Sequence, residues 1–197
     1  MFFLTVVSGC SFLNSQDKSS QSSTGSSTVE TVTPQVENIR QQALDYNDAI
    51  IAIHSQVVDT YNIYINSLAS WAQNIQTIES NLAKTIQAVE SAIKKVNLLT
   101  DFRGDNTFVA GTKTYFDWVV DILKNEETQF VSLLAQGDSL TWSDAQKYIS
   151  LEQSIQTKLE TIDEAYKKIQ EAFAKTYNFV LQTDEVNPEF SKTAENQ

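Results

Sequence analysis

Cysteine, methionine and histidine each occur once in this chain of 197 residues, and proline occurs only twice. A lone thiol forms neither an intrachain disulfide nor a multi-thiolate metal site, so cysteine pairing says nothing here about redox compartment. Basic residues are also scarce: 14 Lys and Arg stand against 25 Asp and Glu, for a net charge of −11. So acidic a chain does not displace counterions from a phosphate backbone, which argues against a nucleic-acid partner. Anionic headgroups repel it as well, so attachment to a membrane needs a covalent or inserted anchor rather than a basic amphipathic face. The five glycines are dispersed and form no phosphate-cradling loop. No apolar run approaches the ~20 residues that a membrane-spanning helix requires.

What is present begins with Phe2-Phe3-Leu4-Thr5-Val6, a short apolar run leading into Val7-Ser8-Gly9-Cys10. The last four residues match the aliphatic, small, small, Cys pattern of a lipobox, and the whole looks like the end of a lipoprotein signal peptide. That pattern implies a diacylglyceryl group on the Cys10 thiol and cleavage before it, with Val7, Ser8 and Gly9 as the cleavage motif. No Lys or Arg precedes the run, which is shorter than the about 7–15 residues of a usual apolar core, so the true start is expected upstream. Residues 1–9 are therefore read as an N-terminally truncated signal peptide. Residues 10–33 are read as the lipidated Cys followed by a linker rich in Ser, Thr and Gln, too polar to offset the entropy of ordering. For about 24 residues a random coil reaches roughly 25–30 Å.

From Pro34 to Gln182 apolar residues recur at intervals of three and four, the pattern of helices presenting one stripe to a shared core. The first stripe runs Val36, Ile39, Ala43, Tyr46, Ile50, Ile53, Val57, Tyr61, Tyr64 and Leu68, and continues from Trp71 through Ile75, Ile78, Leu82, Ile86, Val89, Ile93 and Val96. Thr33-Pro34 opens it with a cap and a proline suited to the first helical position. Neither Gly nor Pro interrupts the chain before Gly104, so propensity alone permits one helix of roughly 100 Å. The later segments give helices of only roughly 45 and 60 Å, which would leave half of such a stripe in water. A break near Asn66 to Gln76 gives matched lengths. The expected fold is all-α, an antiparallel up-down-up-down four-helix bundle with long helices over residues 34–182, followed by a flexible acidic tail over 183–197. One long helix pairing with a second copy is the competing architecture.

The remaining boundaries carry their own signals. Phe102-Arg103-Gly104-Asp105 suits a tight turn, with Gly104 left-handed at a helix end and Asp105 capping the next helix. The third helix shows Phe108, Tyr115, Val119, Ile122, Phe130 and Leu133 on one face, and Gly111 within it implies close packing or a start one turn later. Gly137 ends it. Thr141-Trp142-Ser143-Asp144 has capping-box spacing. The last helix is expected from Trp142 to Leu181, burying Tyr148, Leu151, Ile155, Leu159, Ile162, Tyr166, Ile169, Phe173, Tyr177 and Val180.

Four patches are distinctive together: Tyr46-Asn47-Asp48, Phe102 through Phe108, Tyr115-Phe116 with Trp118, and Phe173 through Phe179 with Leu181. They resemble a family of small bacterial surface lipoproteins of unknown function, and the resemblance spans nearly the whole helical body. It implies a lipobox signal plus one helical-bundle domain, and no activity.

Candidate chemistry is sparse. Arg103-Gly104-Asp105 spells an adhesion tripeptide, but capping accounts for Gly104 and Asp105 without it. His54, beside the core stripe, is read as a partly buried polar residue. The Glu-x-x-His motif of di-metal bundles is absent, since Ile51-Ala52-Ile53 precede it. Haem would need a second axial ligand from another copy. Glu126-Glu127 falls where the third helix faces inward, so one carboxylate is a candidate for burial with a raised pKa. The lone His has no evident acid partner for nucleophilic catalysis. The expectation is a protein with no metal, no cofactor and no enzymatic activity, lipid-anchored in a bacterial envelope, at the outer membrane or cell surface in preference to the inner membrane. Its bundle would act as a structural or protein-interaction module. The alternative is a binder of a small apolar ligand or envelope component in the bundle core.

Overall fold

The computed structural model describes residues 34–69 and 74–181. The lipobox Val7, Ser8, Gly9 and Cys10, the linker to Thr33, Trp71 and the tail from Gln182 lie outside the described residues. Helix α1 spans Pro34–Leu68, α2 spans Ile75–Asn97 and α3 spans Thr107–Ile122. A wide π-helical turn at Leu123–Glu127 joins α3 to α4, Thr128–Leu134, so that the three form one rod. A single 3₁₀ turn at Gly137–Ser139 leads to α5, Trp142–Thr176. The described residues thus form an all-α bundle of four rods.

Paired side chains fix the rod directions. Tyr46 on α1 reaches the Thr100 carbonyl, Gln56 meets Lys95, and Thr85 donates to the Thr60 carbonyl, so residue numbers rise on α1 as they fall on α2. Phe108 stacks on Phe173, Tyr115 contacts Tyr166 and Phe130 stacks on Tyr148, which makes the third rod and α5 antiparallel too. His54 meets Tyr115 and Tyr64 meets Glu127, so α1 and the third rod run the same way. Up, down, up, down follows from these pairs. The break between the first two rods falls inside the Asn66 to Gln76 patch, and α2 starts where the Asn74 side chain accepts the Thr77 N–H at 3.1 Å.

The core has two parts. A long central cluster includes Val57, Tyr64, Leu82, Val89, Phe116, Leu123 and Ile155. A second, aromatic cluster lies at the end where the chain enters, with Ala43, Ile50, Phe102, Phe108, Tyr166, Phe173 and Phe179. Gly111 has a steric reason: a Cβ there would lie 2.7 Å from Ile169 Cδ1 and 2.9 Å from Ile169 Cγ2, so α3 and α5 approach closely.

The termini of α5 are chemically explicit. Thr141 and Asp144 form a reciprocal capping box, with Asp144 N–H to Thr141 Oγ1 at 3.2 Å and Thr141 N–H to Asp144 Oδ2 at 3.1 Å. At the other end Asn178 takes φ +55°, Phe179 N–H returns to the Ala174 carbonyl at 3.0 Å and Asn178 N–H to Lys175 at 3.4 Å. This is a Schellman stop with Asn in the left-handed position. It corrects the expected helix end from Leu181 to Thr176, and it turns Val180 outward, 88% exposed, while Phe179 takes the buried place. Val36, expected on the first stripe, is also half exposed because it sits in the opening turn of α1, before the core begins at Ala43.

Candidate functional site

Buried polar groups concentrate where α1, the third rod and α5 face one another. The π turn closes on Glu127, which is 3% exposed. Tyr64 donates its hydroxyl to Glu127 Oε2 at 2.6 Å, and Tyr61, one helical turn away, donates to Oε1 at 3.3 Å. Burial pushes the Glu127 carboxyl above the usual carboxylate range, and the charge of Glu126 adds to this; the two phenol bonds pull the other way. Burial and the same carboxylate hold both phenols well above their ordinary value, so both keep the proton they donate near neutral pH. The neighbouring Glu126 turns toward α5, where Lys158 pairs with its Oε1 and Ser154 donates to it at 3.3 Å.

About two turns along α1, His54 Nε2 lies 3.2 Å from the Tyr115 hydroxyl and its ring stacks on Tyr166, with centroids 5.5 Å apart. Burial lowers the His54 pKa from 6.5 to about 4, so the imidazole is neutral at neutral pH. Burial and the nearby Asp163 carboxyl hold the Tyr115 phenol well above its ordinary value, and burial raises the Asp163 carboxyl in turn. Nearer the chain entry, Gln170 donates an amide N–H to Asn47 Oδ1 at 3.0 Å, both residues being buried. Three polar pairs thus tie α1 to the third rod and α5 along their length.

The turn singled out in the sequence is placed differently from a helix cap. Gly104 lies seven residues beyond the end of α2 and does not terminate it. Arg103 and Gly104 take φ +53° and +87°, and Phe102 and Asp105 exchange backbone bonds of 3.0 and 2.9 Å. Positive φ at both central positions is the pattern of a type I′ turn, and glycine meets it without steric cost. Asp105 accepts the Thr107 N–H at 2.9 Å and the Tyr177 hydroxyl at 3.3 Å, and the Thr107 bond holds its carboxyl below the usual range. The acid of the adhesion tripeptide is therefore committed within the fold. Phe102 packs edge-on against Tyr177 at 4.8 Å and lies 5.3 Å from Tyr46, while Phe108 stacks on Phe173 at 4.9 Å. The four sequence patches meet here, except that Trp118 is half exposed on α3.

A groove of about 400 Å³ lined by Gln35, Asn38, Ile39 and Arg103 opens beside this turn. Among the described residues no three His, Cys, Asp or Glu side chains gather in a way that could hold a metal ion, and no helix is long and apolar enough to cross a membrane. Comparison with protein-family models, curated proteins and solved structures finds no match to this chain.

Sequence periodicity had placed Tyr61 and Tyr64 in the apolar stripe, where they are, without showing that their hydroxyls converge on Glu127. Their spacing of three, opposite an inward Glu, is the readable part of that arrangement. Asn47, Gln170 and Tyr115 were missed as polar partners, because each pair is made across rods more than forty residues apart.

Proposed function

We propose that this protein is a lipid-anchored module of a bacterial cell envelope, whose helical bundle serves as a structural or protein-interaction element and not as an enzyme. The observation that carries the reading is the order of parts along the chain. The lipobox Val7-Ser8-Gly9-Cys10 is followed by a polar stretch and then, at Pro34, by a bundle that the chain enters at one end. The side-chain chemistry supports it. Glu127, His54 and Asn47 spend their hydrogen bonds on Tyr64, Tyr115 and Gln170, which gives these groups work inside the fold. The described groove is lined by Gln35, Asn38, Ile39 and Arg103 and is separate from the buried bundle core.

The test is metabolic labelling with a fatty-acid probe in a bacterial host, with the chain expressed behind a complete lipoprotein signal peptide. Label should enter the native protein and be lost in Cys10→Ser. Crosslinking in intact cells should then recover a protein partner with the lipidated form. Equal labelling of the two forms overturns the anchor, and turnover of a substrate that depends on Glu127 or His54 overturns the non-enzymatic reading.

A further inference from the structure

Arg103 occupies a strained position and leaves its charge unused. It is the first central residue of the type I′ turn, at φ +53°, where Asn, Asp or Gly is the usual occupant. Strain of this kind gathers at functional sites. The Arg103 side chain lines the groove of about 400 Å³, together with Gln35, Asn38 and Ile39 from the opening turns of α1. The nearby acids do not neutralise it. Asp105 accepts the Thr107 N–H and the Tyr177 hydroxyl, and Glu37 pairs with Arg40. Among the described residues neither Asp101 nor any other acid forms an ion pair with Arg103. Asn38 receives the Gln42 amide on its Oδ1, which leaves its own NH2 group able to donate into the groove. The groove thus presents an unpaired guanidinium, carboxamide donors and the partly buried Ile39 side chain. A guanidinium takes a carboxylate through two parallel N–H···O bonds, so the chemistry it fits is an acidic segment with an apolar residue beside the acid.

We infer that this groove seats the chain's own segment Asp184-Glu185-Val186, with a carboxylate on Arg103 and Val186 against Ile39. Two observations select that occupant. The first is where the described chain leaves the bundle. Phe179 is buried in the aromatic cluster with Phe102, Leu181 packs on the same cluster, and the Tyr177 ring meets Phe102 at 4.8 Å, one residue from Arg103. Asp184 follows Leu181 by three residues, a reach of about 10 Å when extended. So short a tether holds the acids at an effective concentration on the order of mM, which populates an exposed ion pair too weak to form between free partners. The second is composition: two adjacent carboxylates followed by a branched apolar residue complement a guanidinium beside an isoleucine. The linker ahead of Pro34 offers the single carboxylate of Glu30 within similar reach, and the experiment separates the two. With the segment seated, Arg103 of the adhesion tripeptide is engaged within the chain as Asp105 already is, and an acidic partner from outside must displace it.

The experiment uses the full chain with Cys10→Ser, so that Gln35→Cys and Asn187→Cys supply the only two thiols. In a glutathione redox buffer these should form an intrachain disulfide several-fold faster than in the same chain carrying Arg103→Glu, with helicity unchanged. Reversing both signs, Arg103→Glu with Asp184→Lys and Glu185→Lys, should restore the rate, and high salt should slow it. A rate that Arg103→Glu leaves unchanged overturns the docking. So does a rate that the double reversal does not restore; restoration by Glu30→Lys in its place names the linker as the occupant. Disulfide-linked dimers in place of the crosslinked monomer name a second copy and also overturn it.

Discussion

Tyr64 reaches across from α1 to place its hydroxyl 2.6 Å from Glu127 Oε2, inside the wide turn that joins α3 to α4. A charge-assisted hydrogen bond to a buried carboxylate is stronger than a neutral one, and its loss leaves an acceptor with no water to replace the partner. Tyr64→Phe should therefore destabilise the bundle by about 1–3 kcal/mol. Tyr61→Phe should cost less, since its bond is longer, at 3.3 Å. Urea denaturation of both variants at pH 7 measures the difference; equal costs would show that the two phenols share the carboxylate evenly.

Glu127 also gives stability a pH slope. Its folded pKa is raised above the ordinary 4.5, so between those values the folded state binds more protons than the unfolded. Its contribution is most favourable below about 4.5 and is lost as pH rises through the folded value. Glu127→Gln should remove that decline. Unfolding midpoints of the native protein and the variant, compared from pH 4 to pH 8, check the sign.

His54 acts in the opposite sense. Its pKa falls from 6.5 to about 4 on folding, so the unfolded state takes up the proton first and stability is lost as pH falls through that window. The full shift corresponds to about 3 kcal/mol between neutral pH and pH 4. His54→Gln should abolish this acid loss while leaving the Glu127 slope in place. An imidazole resonance that titrates near 6.5 in the native protein would contradict the burial that the prediction depends on.

Gly111 and Ile169 form a pair whose sign can be reversed. Adding a methyl group at Gly111 gains about 1 kcal/mol of helix propensity, but in the native bundle it meets Ile169 Cγ2 at 2.9 Å. Overpacking of that kind costs about 1–3 kcal/mol, so Gly111→Ala should be neutral to destabilising. In an Ile169→Ala background the obstruction is gone and the same substitution should stabilise by about 1 kcal/mol. A double-mutant cycle by thermal unfolding reads the change of sign directly.

Asn178 is the left-handed stop of α5, with φ +55°. Asn tolerates that region, whereas a β-branched residue there is strained by about 1–3 kcal/mol. Asn178→Val should lower stability by about that amount and loosen Phe179 from the aromatic cluster, while Asn178→Gly should be nearly neutral. Calorimetry together with hydrogen exchange at the end of α5 tests both.

Much of the fold was legible because it is set by spacing within a segment. The stripes of α1 and α2, the break within Asn66 to Gln76 and the Thr141–Asp144 capping box are local patterns, and the structure contains each of them. The errors also have local causes. Asn178 terminates α5 without a glycine, so the helix was drawn to Leu181 and Val180 was placed inside. The π turn has no readable signal, because nothing in Leu123 to Glu127 sets these residues apart from a continuous helix. Gly104 was correctly marked as a turn glycine and wrongly attached to the end of α2, since composition shows that a chain turns and not how many residues it travels first. The polar seam was half visible: one carboxylate of Glu126-Glu127 could be placed inward, but which of the two is decided by the phenols of Tyr61 and Tyr64 on another rod.

The π turn has a consequence for how this chain can vary in length. One extra residue is wound into the rod at Leu123–Glu127, and the Thr128 hydroxyl caps the lengthened turn by donating to the Leu123 carbonyl at 2.9 Å. Deleting a residue from an ordinary helix rotates everything after it by about 100°. Deleting the exposed Asn125 here would instead return the turn to ordinary winding, with Phe116 and Val119 before it and Phe130 and Leu134 after it still sharing the core face. The rod thus holds one residue in reserve, at the single place where sequence register and packing register are uncoupled.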